Sequence, residues 1–234
     1  MKHFLFGTFL CFFCLLSKAE MNFVCVDSIR TADLLFVVNT KGNAITAVTE
    51  GLNQLPIDHV AIFYNDSITS EPMILQADYK GVRCGSLISF WNESSTDSTI
   101  TCERGYTHSC VNDSLSPIIL VGRVQVPFDS QLSLKNAFSY LGRNYDYYYL
   151  PDDAEIYCSE LVQKSYVDNQ GKLLFSTIPM TFRDSHGAIP EFWVNHYAKK
   201  GIPVPEGKPG SNPGELSRRS MVKIIGRLMV CCSH

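Results

Sequence analysis

The sequence has no excess of basic residues. Its 20 Lys and Arg residues are outnumbered by 23 Asp and Glu residues, which gives a formal net charge of -3 at pH 7. Proteins that bind nucleic acid usually carry a basic patch or stripe, because their lysines and arginines neutralise phosphates. Basic residues occur here singly or in pairs, so the sequence predicts no nucleic-acid partner.

Long apolar segments are absent after the N-terminus. Residues 1–19 combine a basic start, an apolar run from Phe4 to Leu16 and small residues at the end, which is typical of a cleaved secretory signal. That run is too short to span a bilayer comfortably, and no later segment reaches the roughly 18 apolar residues of a transmembrane helix. We therefore expect a signal peptide over 1–19 and a single domain over 20–234. The mature protein is expected to be secreted or lumenal, whether extracellular, lysosomal, vacuolar or periplasmic.

The sequence also lacks internal repeats, low-complexity tracts and the short helical motifs that bind metals. Four histidines leave a metal hydrolase open as an alternative: His59, His108, His186 and His196. Since their spacing matches no metal motif, we predict neither a metal nor another cofactor.

Nine cysteines are present, and two of them lie within residues 1–19. The seven that remain after signal removal are an odd number, which leaves one thiol without an intramolecular partner in an oxidising compartment. Three Asn-X-Ser sequons begin at Asn65, Asn92 and Asn112, and they would be glycosylated in a eukaryotic source. Two of the three lie in the polar stretch 90–117, which we interpret as a surface insertion.

Hydrophobic patterning predicts an α+β domain. Short apolar or alternating runs indicate strands over residues 32–38, 58–64, 72–82, 116–126 and 221–230. Helical spacing and capping residues indicate helices over residues 43–52, 130–141, 156–166 and 191–199. Because the strands come first and the helices cluster in the middle of the chain, an α+β arrangement is favoured over a doubly wound sheet.

The stretch DDAEIYCSELVQKSY places Cys158 at the start of one predicted helix. A helix N-terminus carries unpaired N–H groups and a partial positive charge, which favour a thiolate and so activate a weak nucleophile. A single cysteine in a helix is more often a small core residue or half of a disulfide. Position alone leaves both interpretations open.

Six stretches taken together resemble a known family. They read DLLFVV, AITAVTEG, DHVAIFY, ILQADYKGVR, YLGRNYDYYYLPDDAEIYCSELVQKSY and GIPVPEGKPGSNPGELS. From about Arg30 to Ser217 the chain resembles the circularly permuted papain-like branch of the NlpC superfamily, and YiiX-like proteins in particular. The resemblance implies a small antiparallel sheet or open barrel packed against a helix that bears the nucleophile.

Carried over to this chain, the resemblance implies a catalytic site of Cys158, His59 and Gln76. Cys158 would be the nucleophile, and His59 the general base that takes its proton and later supplies it to the leaving group. Family members usually have an acidic residue where Gln76 stands. An amide oxygen can still accept the imidazole N–H and fix its tautomer, but Asp78 is close enough in sequence to leave the orienting role open.

Three further residues are candidates for binding the oxyanion or the substrate. The N–H of Cys158 is a natural oxyanion donor at a helix start, and the resemblance implies that the Tyr145 hydroxyl adds a second one. Asp146 is a candidate either for capping a turn or for gripping a substrate amine. Tyr157 precedes the nucleophile directly. An aromatic patch that packs over the cleft remains the alternative for the tyrosines.

The resemblance predicts a secreted cysteine hydrolase that cleaves an amide or peptide bond through a covalent acyl-enzyme. Its partner would be a peptide or an N-acyl small molecule. The neutral Gln76 leaves open an alternative, which is a non-catalytic descendant of the same fold that binds a peptide or a lipid. A disulfide between Cys102 and Cys110, with two more formed among Cys25, Cys84, Cys231 and Cys232, would leave Cys158 as the free thiol.

Overall fold

A computed structural model describes residues 22–95 and 117–230 of the chain. The strands of the sheet and of one small ribbon are β1 (Phe23–Cys25), β2 (Leu34–Val38), β3 (Ile57–Asn65), β4 (Pro72–Asp78), β5 (Gly81–Ser86), β6 (Ile118–Val124), β7 (Ile178–Pro179), β8 (Pro209–Gly210) and β9 (Val222–Met229). The helices are α1 (Leu87–Glu93), α2 (Ser130–Phe138), α3 (Cys158–Ser165), α4 (Glu191–Ala198) and α5 (Pro213–Arg218).

Seven of the strands form one open sheet in the order β1-β9-β6-β2-β3-β4-β5. All neighbouring pairs are antiparallel except β1 and β9, which are parallel. Strands β7 and β8 form a separate two-stranded ribbon. The predicted α+β class is confirmed, and the sheet does not close into a barrel.

Both faces of the sheet are covered, which explains why its central strands are almost continuously apolar. Along β3, Val60 and Ile62 pack into the core beneath α3, whereas Ala61 and Phe63 pack into a second core with α1. This alternation is the period of two expected of a strand. Helices α3 and α5 pack against β3, so the start of α3 is held beside this part of the sheet.

The pairing of β2 with β3 contains a β-bulge next to a predicted catalytic residue. Val37 pairs with His59 and Val38 pairs with Ile57, so Asp58 is an extra residue with no partner on β2. Such bulges bend a strand and re-aim its side chains, and they are frequent beside active sites. The alternation of β3 is therefore interrupted at Asp58.

The predicted strand over residues 72–82 is a hairpin of two strands, β4 and β5. The chain reverses after Asp78, and Gly81 adopts a φ of +92°, which is open to glycine at little cost. A Cβ atom at Gly81 would also lie 2.5 Å from the carbonyl oxygen of Arg143. This turn brings Arg83 on β5 opposite Gln76 on β4.

The helix predicted over residues 43–52 is absent. The side-chain oxygen of Asn43 accepts the N–H groups of Ile45 and Thr46, both at 2.9 Å. This local turn competes with helix formation, as asparagine side chains often do. Only a short 3₁₀ segment follows, at Leu52–Gln54. The other three predicted helices are present, with α3 beginning at Cys158 rather than at residue 156.

Some features predicted from the sequence lie partly or wholly outside the described residues. The stretch 90–117, interpreted as a surface insertion, begins inside α1, where Phe90 and Trp91 are buried. Residues 96–116 lie outside the described residues, and so do the predicted signal over 1–19 and the Cys102–Cys110 pair. No helix between residues 22–95 or 117–230 is long and apolar enough to cross a bilayer.

Three cysteines are described, and all are free thiols: Cys25, Cys84 and Cys158. The predicted disulfides that use Cys25 and Cys84 are therefore not formed in the structure. These two residues lie on β1 and β5, which are the opposite edges of the seven-stranded sheet, so they cannot pair with each other. The prediction that Cys158 is free agrees with the structure.

Candidate active site

Cys158 is the first residue of α3 and is 3% exposed. Tyr157, directly before it, has an extended backbone and forms the N-cap of the helix. The N–H groups of the first helical turn have no acceptor inside the helix, and they carry the positive end of the helix dipole. The sulfur therefore lies at the positive end of the helix, where the negative charge of an oxyanion would be stabilised.

His59 links this sulfur to the sheet. Its imidazole interacts with Cys158, and its Nε2 atom lies 2.7 Å from Oε1 of Gln76. Burial by itself lowers the pKa of His59, but the hydrogen bond and the charge of Cys158, with the Gln76 contact and the charge of Asp58, raise it to about 8. A protonated imidazole beside a thiolate is the ion pair that activates a cysteine at neutral pH.

The orientation of the Gln76 amide is set by its other end. Its Nε2 atom donates to Oδ2 of Asp78 at 3.2 Å, so its oxygen faces the ring of His59. Because an amide oxygen can only accept, Nε2 of His59 carries the proton in this contact. The other ring nitrogen is then the one available to Cys158, as proton transfer requires.

Asp78 is held in turn by Arg83 on β5. The Nε atom of Arg83 donates to Oδ2 of Asp78 at 2.9 Å, and its Nη2 atom contacts Glu93 at 2.7 Å. Asp78 therefore does not touch the imidazole in place of Gln76. It stands one step behind Gln76.

The aromatic run that precedes α3 surrounds the sulfur. Tyr145 and Tyr149 line the same cavity as Cys158 and make an edge-to-face ring contact with each other. Burial, followed by the charge of Cys158, raises the pKa of Tyr145 well above its usual value. Its hydroxyl therefore stays protonated and can donate a hydrogen bond. Tyr149 has a φ of +50°, an uncommon conformation for a side chain of this size.

The other two predicted binding residues have structural partners. Asp146 is 3% exposed, and its two carboxylate oxygens accept the N–H groups of Tyr148 and Leu150, each at 2.7 Å. It thus caps a turn, which was one of its two predicted roles. The Tyr157 hydroxyl accepts the N–H of Ser211 at 3.0 Å and so fixes the segment after β8 beside α3.

Several residues at the site were not predicted from the sequence. Ser159 and Ser211 line the cavity at Cys158, and neither buried hydroxyl has a hydrogen-bond partner among the described residues. Asp58 lies between this cavity and a polar cleft on the other side of His59. The short motif Cys-Ser could have drawn attention to Ser159. Ser211 is more than 50 residues from Cys158 along the chain and carried no local signal.

The residues present offer no ready metal site. Residues 22–95 and 117–230 contain no cluster of three or more His, Cys, Asp or Glu side chains that could hold a metal ion. His186 is exposed, and the ring of His196 donates to the carbonyl oxygen of Tyr147 at 2.8 Å. His108 lies outside the described residues.

The histidine on an early strand and the cysteine at a later helix start define the class of protein, which is a circularly permuted papain-like protein. The chain belongs to the family described as permuted papain-like amidase enzyme, YaeF/YiiX, C92 family, whose model matches residues 29–225. The predicted resemblance is thus confirmed. Membership places the chain among the papain-like amidases and peptidases, which are cysteine hydrolases.

A comparison with solved structures supports the fold. The chain is similar to the crystal structure of the metalloprotein YiiX from Escherichia coli O157:H7, with 17% identity and a TM-score of 0.60. The alignment covers 85% of this chain and 97% of that chain. At this identity the likeness establishes the fold alone. A search of the curated proteins found no match.

Proposed function

We propose that the protein is a cysteine amidase or peptidase that uses Cys158, His59 and Gln76. The observation that carries the proposal is the continuous contact from the sulfur through the imidazole to the amide oxygen, with 2.7 Å between Nε2 of His59 and Oε1 of Gln76. In this arrangement His59 is the base that faces the nucleophile Cys158, and Gln76 fixes the orientation of His59. A non-catalytic binding protein would have no need of an imidazole held beside this thiol by a third group.

The reaction runs in two halves. The Cys158 thiolate attacks the carbonyl carbon of the substrate, and the oxyanion is stabilised by the N–H of Cys158 and the hydroxyl of Tyr145. The C–N bond breaks as the His59 imidazolium gives its proton to the amine nitrogen, which leaves the acyl group on sulfur as a thioester. His59 then takes a proton from water, whose oxygen attacks the thioester. The acid leaves, and the thiolate and imidazolium are restored.

Selective alkylation tests the activated thiol without knowledge of the substrate. We expect iodoacetamide at pH 6 to modify Cys158 before Cys25 and Cys84, because only Cys158 lies beside a histidine and a helix start. Peptide mapping by mass spectrometry identifies the modified residue. A Cys158 that stays unmodified while Cys25 reacts would favour the non-catalytic alternative.

Loss of the sulfur tests catalysis itself. Against any amide that the wild-type protein hydrolyses, Cys158→Ala should lower kcat/KM by about four orders of magnitude or more, as removal of a nucleophile does elsewhere. Cys84→Ala, which removes another free thiol, is the matched control. Activity retained in Cys158→Ala would exclude the thiol mechanism.

Export of the protein belongs to the same proposal. It is supported by the signal-like pattern over residues 1–19 and by the sequons, which begin at Asn65, Asn92 and Asn112. Sequencing the N-terminus of protein recovered from its natural source should find a start near residue 20. A start at Met1 would contradict export by cleavage.

A further inference from the structure

Two cavities flank the Cys158–His59 pair, and they differ in chemistry. The first, which we name the apolar slot, is narrow, with a cavity volume of about 30 Å³, and contains Cys158. Its apolar walls are formed by Ile45, Val48, Tyr149, Met180, Phe182 and Trp193. The second, which we name the polar cleft, contains His59 and Gln76 and has a cavity volume of about 490 Å³. Asp58 lines both, so the two cavities meet at the bulge of β3.

The reaction assigns one half of an amide to each cavity. The acyl group becomes bonded to the sulfur of Cys158, so its chain must occupy the cavity that contains this sulfur. The amine receives its proton from His59, so it must lie on the side of the imidazole. The apolar slot is thus the place for the acyl group, and the polar cleft is the place for the amine.

The apolar slot suits an aliphatic group. Phe182 and Trp193 are buried and pack edge to face, with 5.1 Å between ring centroids, so they form a firm end wall. Asp58, at the boundary with the polar cleft, is the one charged residue among the described residues that line the slot. Apolar walls with a few polar groups are typical of small-molecule sites. The unpartnered hydroxyls of Ser159 and Ser211 supply those polar groups.

The polar cleft suits an amine that carries hydrogen-bonding groups. Its described lining includes the side chains of Asn39, Asp58, Asp78 and Glu93, which offer acceptor oxygens. Asp78 and Glu93 are both paired with Arg83. Asp58 accepts amide donors, from Asn39 at 2.8 Å and from Asn43 at 2.6 Å. Hydroxyl or amino groups of a leaving amine would find partners here, whereas an apolar amine would leave these oxygens desolvated.

We infer that the substrate is an amide between an apolar, aliphatic acyl group and a polar amine, bound with the acyl chain in the apolar slot. This inference rests on the proposed function, because the sides are assigned by the roles of Cys158 and His59. It adds a prediction that the proposed function does not make, which is a preference for apolar acyl groups. A thiol enzyme with no acyl preference would satisfy the proposed function and contradict this inference.

Alkyl methanethiosulfonates probe the slot directly. They transfer an S-alkyl group to a thiolate and release methanesulfinate, so the transferred chain is attached to the sulfur as an acyl chain would be. For Cys158 the ratio of rate constants for the hexyl reagent over the hydroxyethyl reagent should exceed the ratio for free cysteine by at least about tenfold, because the hexyl chain is buried in the slot. An equal ratio with a reactive Cys158 would overturn the inference and leave the proposed function intact.

Matched variants show whether the slot causes the preference. Val48→Asp places a charge on the half-buried wall and should return the ratio to that of free cysteine. Val126→Asp makes the same change at an exposed valine outside the slot and should keep the wild-type ratio. Ile45→Asp is a second wall variant in case Val48→Asp does not fold. A preference that survives both wall variants would overturn the inference.

Two isomeric amides test the assignment of sides. N-hexanoylethanolamine has an apolar acyl group and a polar amine, whereas N-hexylglycolamide has the same atoms with the amide reversed. We expect the first to be hydrolysed at least about tenfold faster, as measured by mass spectrometry of the products. Faster hydrolysis of the reversed amide would overturn the inference. If neither is cleaved, the thiosulfonate ratio decides.

Discussion

The two sides of the candidate active site are built in different ways. The side of Cys158 is held by burial, since α3 is almost wholly covered and aromatic rings pack around its start. The side of His59 is held by directed contacts, which run from Gln76 to Asp78 and on to Arg83. Burial tolerates small changes of shape, whereas a hydrogen-bonded series fails when one group loses its direction. The polar side should therefore be the more sensitive of the two to conservative changes.

Among changes on the two sides of the site, removal of the imidazole should have the largest effect on kcat/KM. His59→Ala deletes the base and leaves the buried side intact, so we expect kcat/KM to fall by about 10² to 10⁴ with little change in stability. Alkylation of Cys158 by iodoacetamide at pH 6 should slow as well, because the ion pair is lost. His186→Ala, at an exposed histidine, is the control. Unchanged alkylation would show that burial alone activates the thiol.

Replacing the amide should have the next largest effect. Gln76→Ala frees the imidazole to rotate, and we expect kcat/KM to fall about 10-fold to 100-fold. The double variant Gln76→Glu with Asp78→Asn puts a carboxylate against His59 without a second one behind it, and it should recover activity. Gln125→Ala, which removes an exposed amide, is the control. A double variant no better than Gln76→Ala would mean that charge on the third group does not assist.

A smaller effect is expected one step further from the sulfur. Asp78→Asn loosens the direction of Gln76, so kcat/KM should fall by about threefold to tenfold, and Asp78→Glu should restore part of the loss. The pKa of about 8 for His59 depends partly on the Gln76 contact. Its pKa should therefore fall in Asp78→Asn, and the alkaline limb of the pH–rate profile should move to lower pH. A purely structural role would lower the melting temperature and leave that limb in place.

The smallest effect concerns the buried side and appears in stability alone. Burial raises the pKa of Glu160 to about 7, against the opposing contact with Lys164. Between pH 4.5 and pH 7 the folded state thus keeps a proton that the unfolded state has lost, so the stability falls as the pH rises through this range. Glu160→Gln should remove about 1 to 3 kcal/mol of this dependence, measured as unfolding free energy against pH. A pH dependence equal to that of the wild-type protein would show that Glu160 does not titrate this way.

Local patterns predicted the elements that carry the reacting groups. The run DHVAIFY indicated a strand at His59, and the amphipathic stretch 156–166 indicated the helix that is observed from Cys158 onward. The signal for α5 was also present, since Asn212 caps it and Pro213 occupies its first position. The proline- and glycine-rich composition of that stretch hid the signal, so the sequence analysis predicts no helix at α5.

Long-range relations could not be predicted from the sequence. Whether Gln76 or Asp78 meets the imidazole depends on Arg83, which reaches Asp78 only because β4 and β5 form a hairpin. The apolar slot joins residues 45–48 with Trp193, and no local pattern links such distant segments. The contact between the Tyr157 hydroxyl and Ser211 has the same character.

The extra residue of β3, Asp58, lies beside both cavities of the candidate active site. With Asp58 in place, Ile57 and Val60 both pack into the core beneath α3, although they are three positions apart. Deletion of Asp58 would leave Ile57 and Val60 on that same face, two positions apart, and would remove the carboxylate that lines both cavities. The bulge thus adds an acidic group between the two cavities without disturbing the buried face of β3.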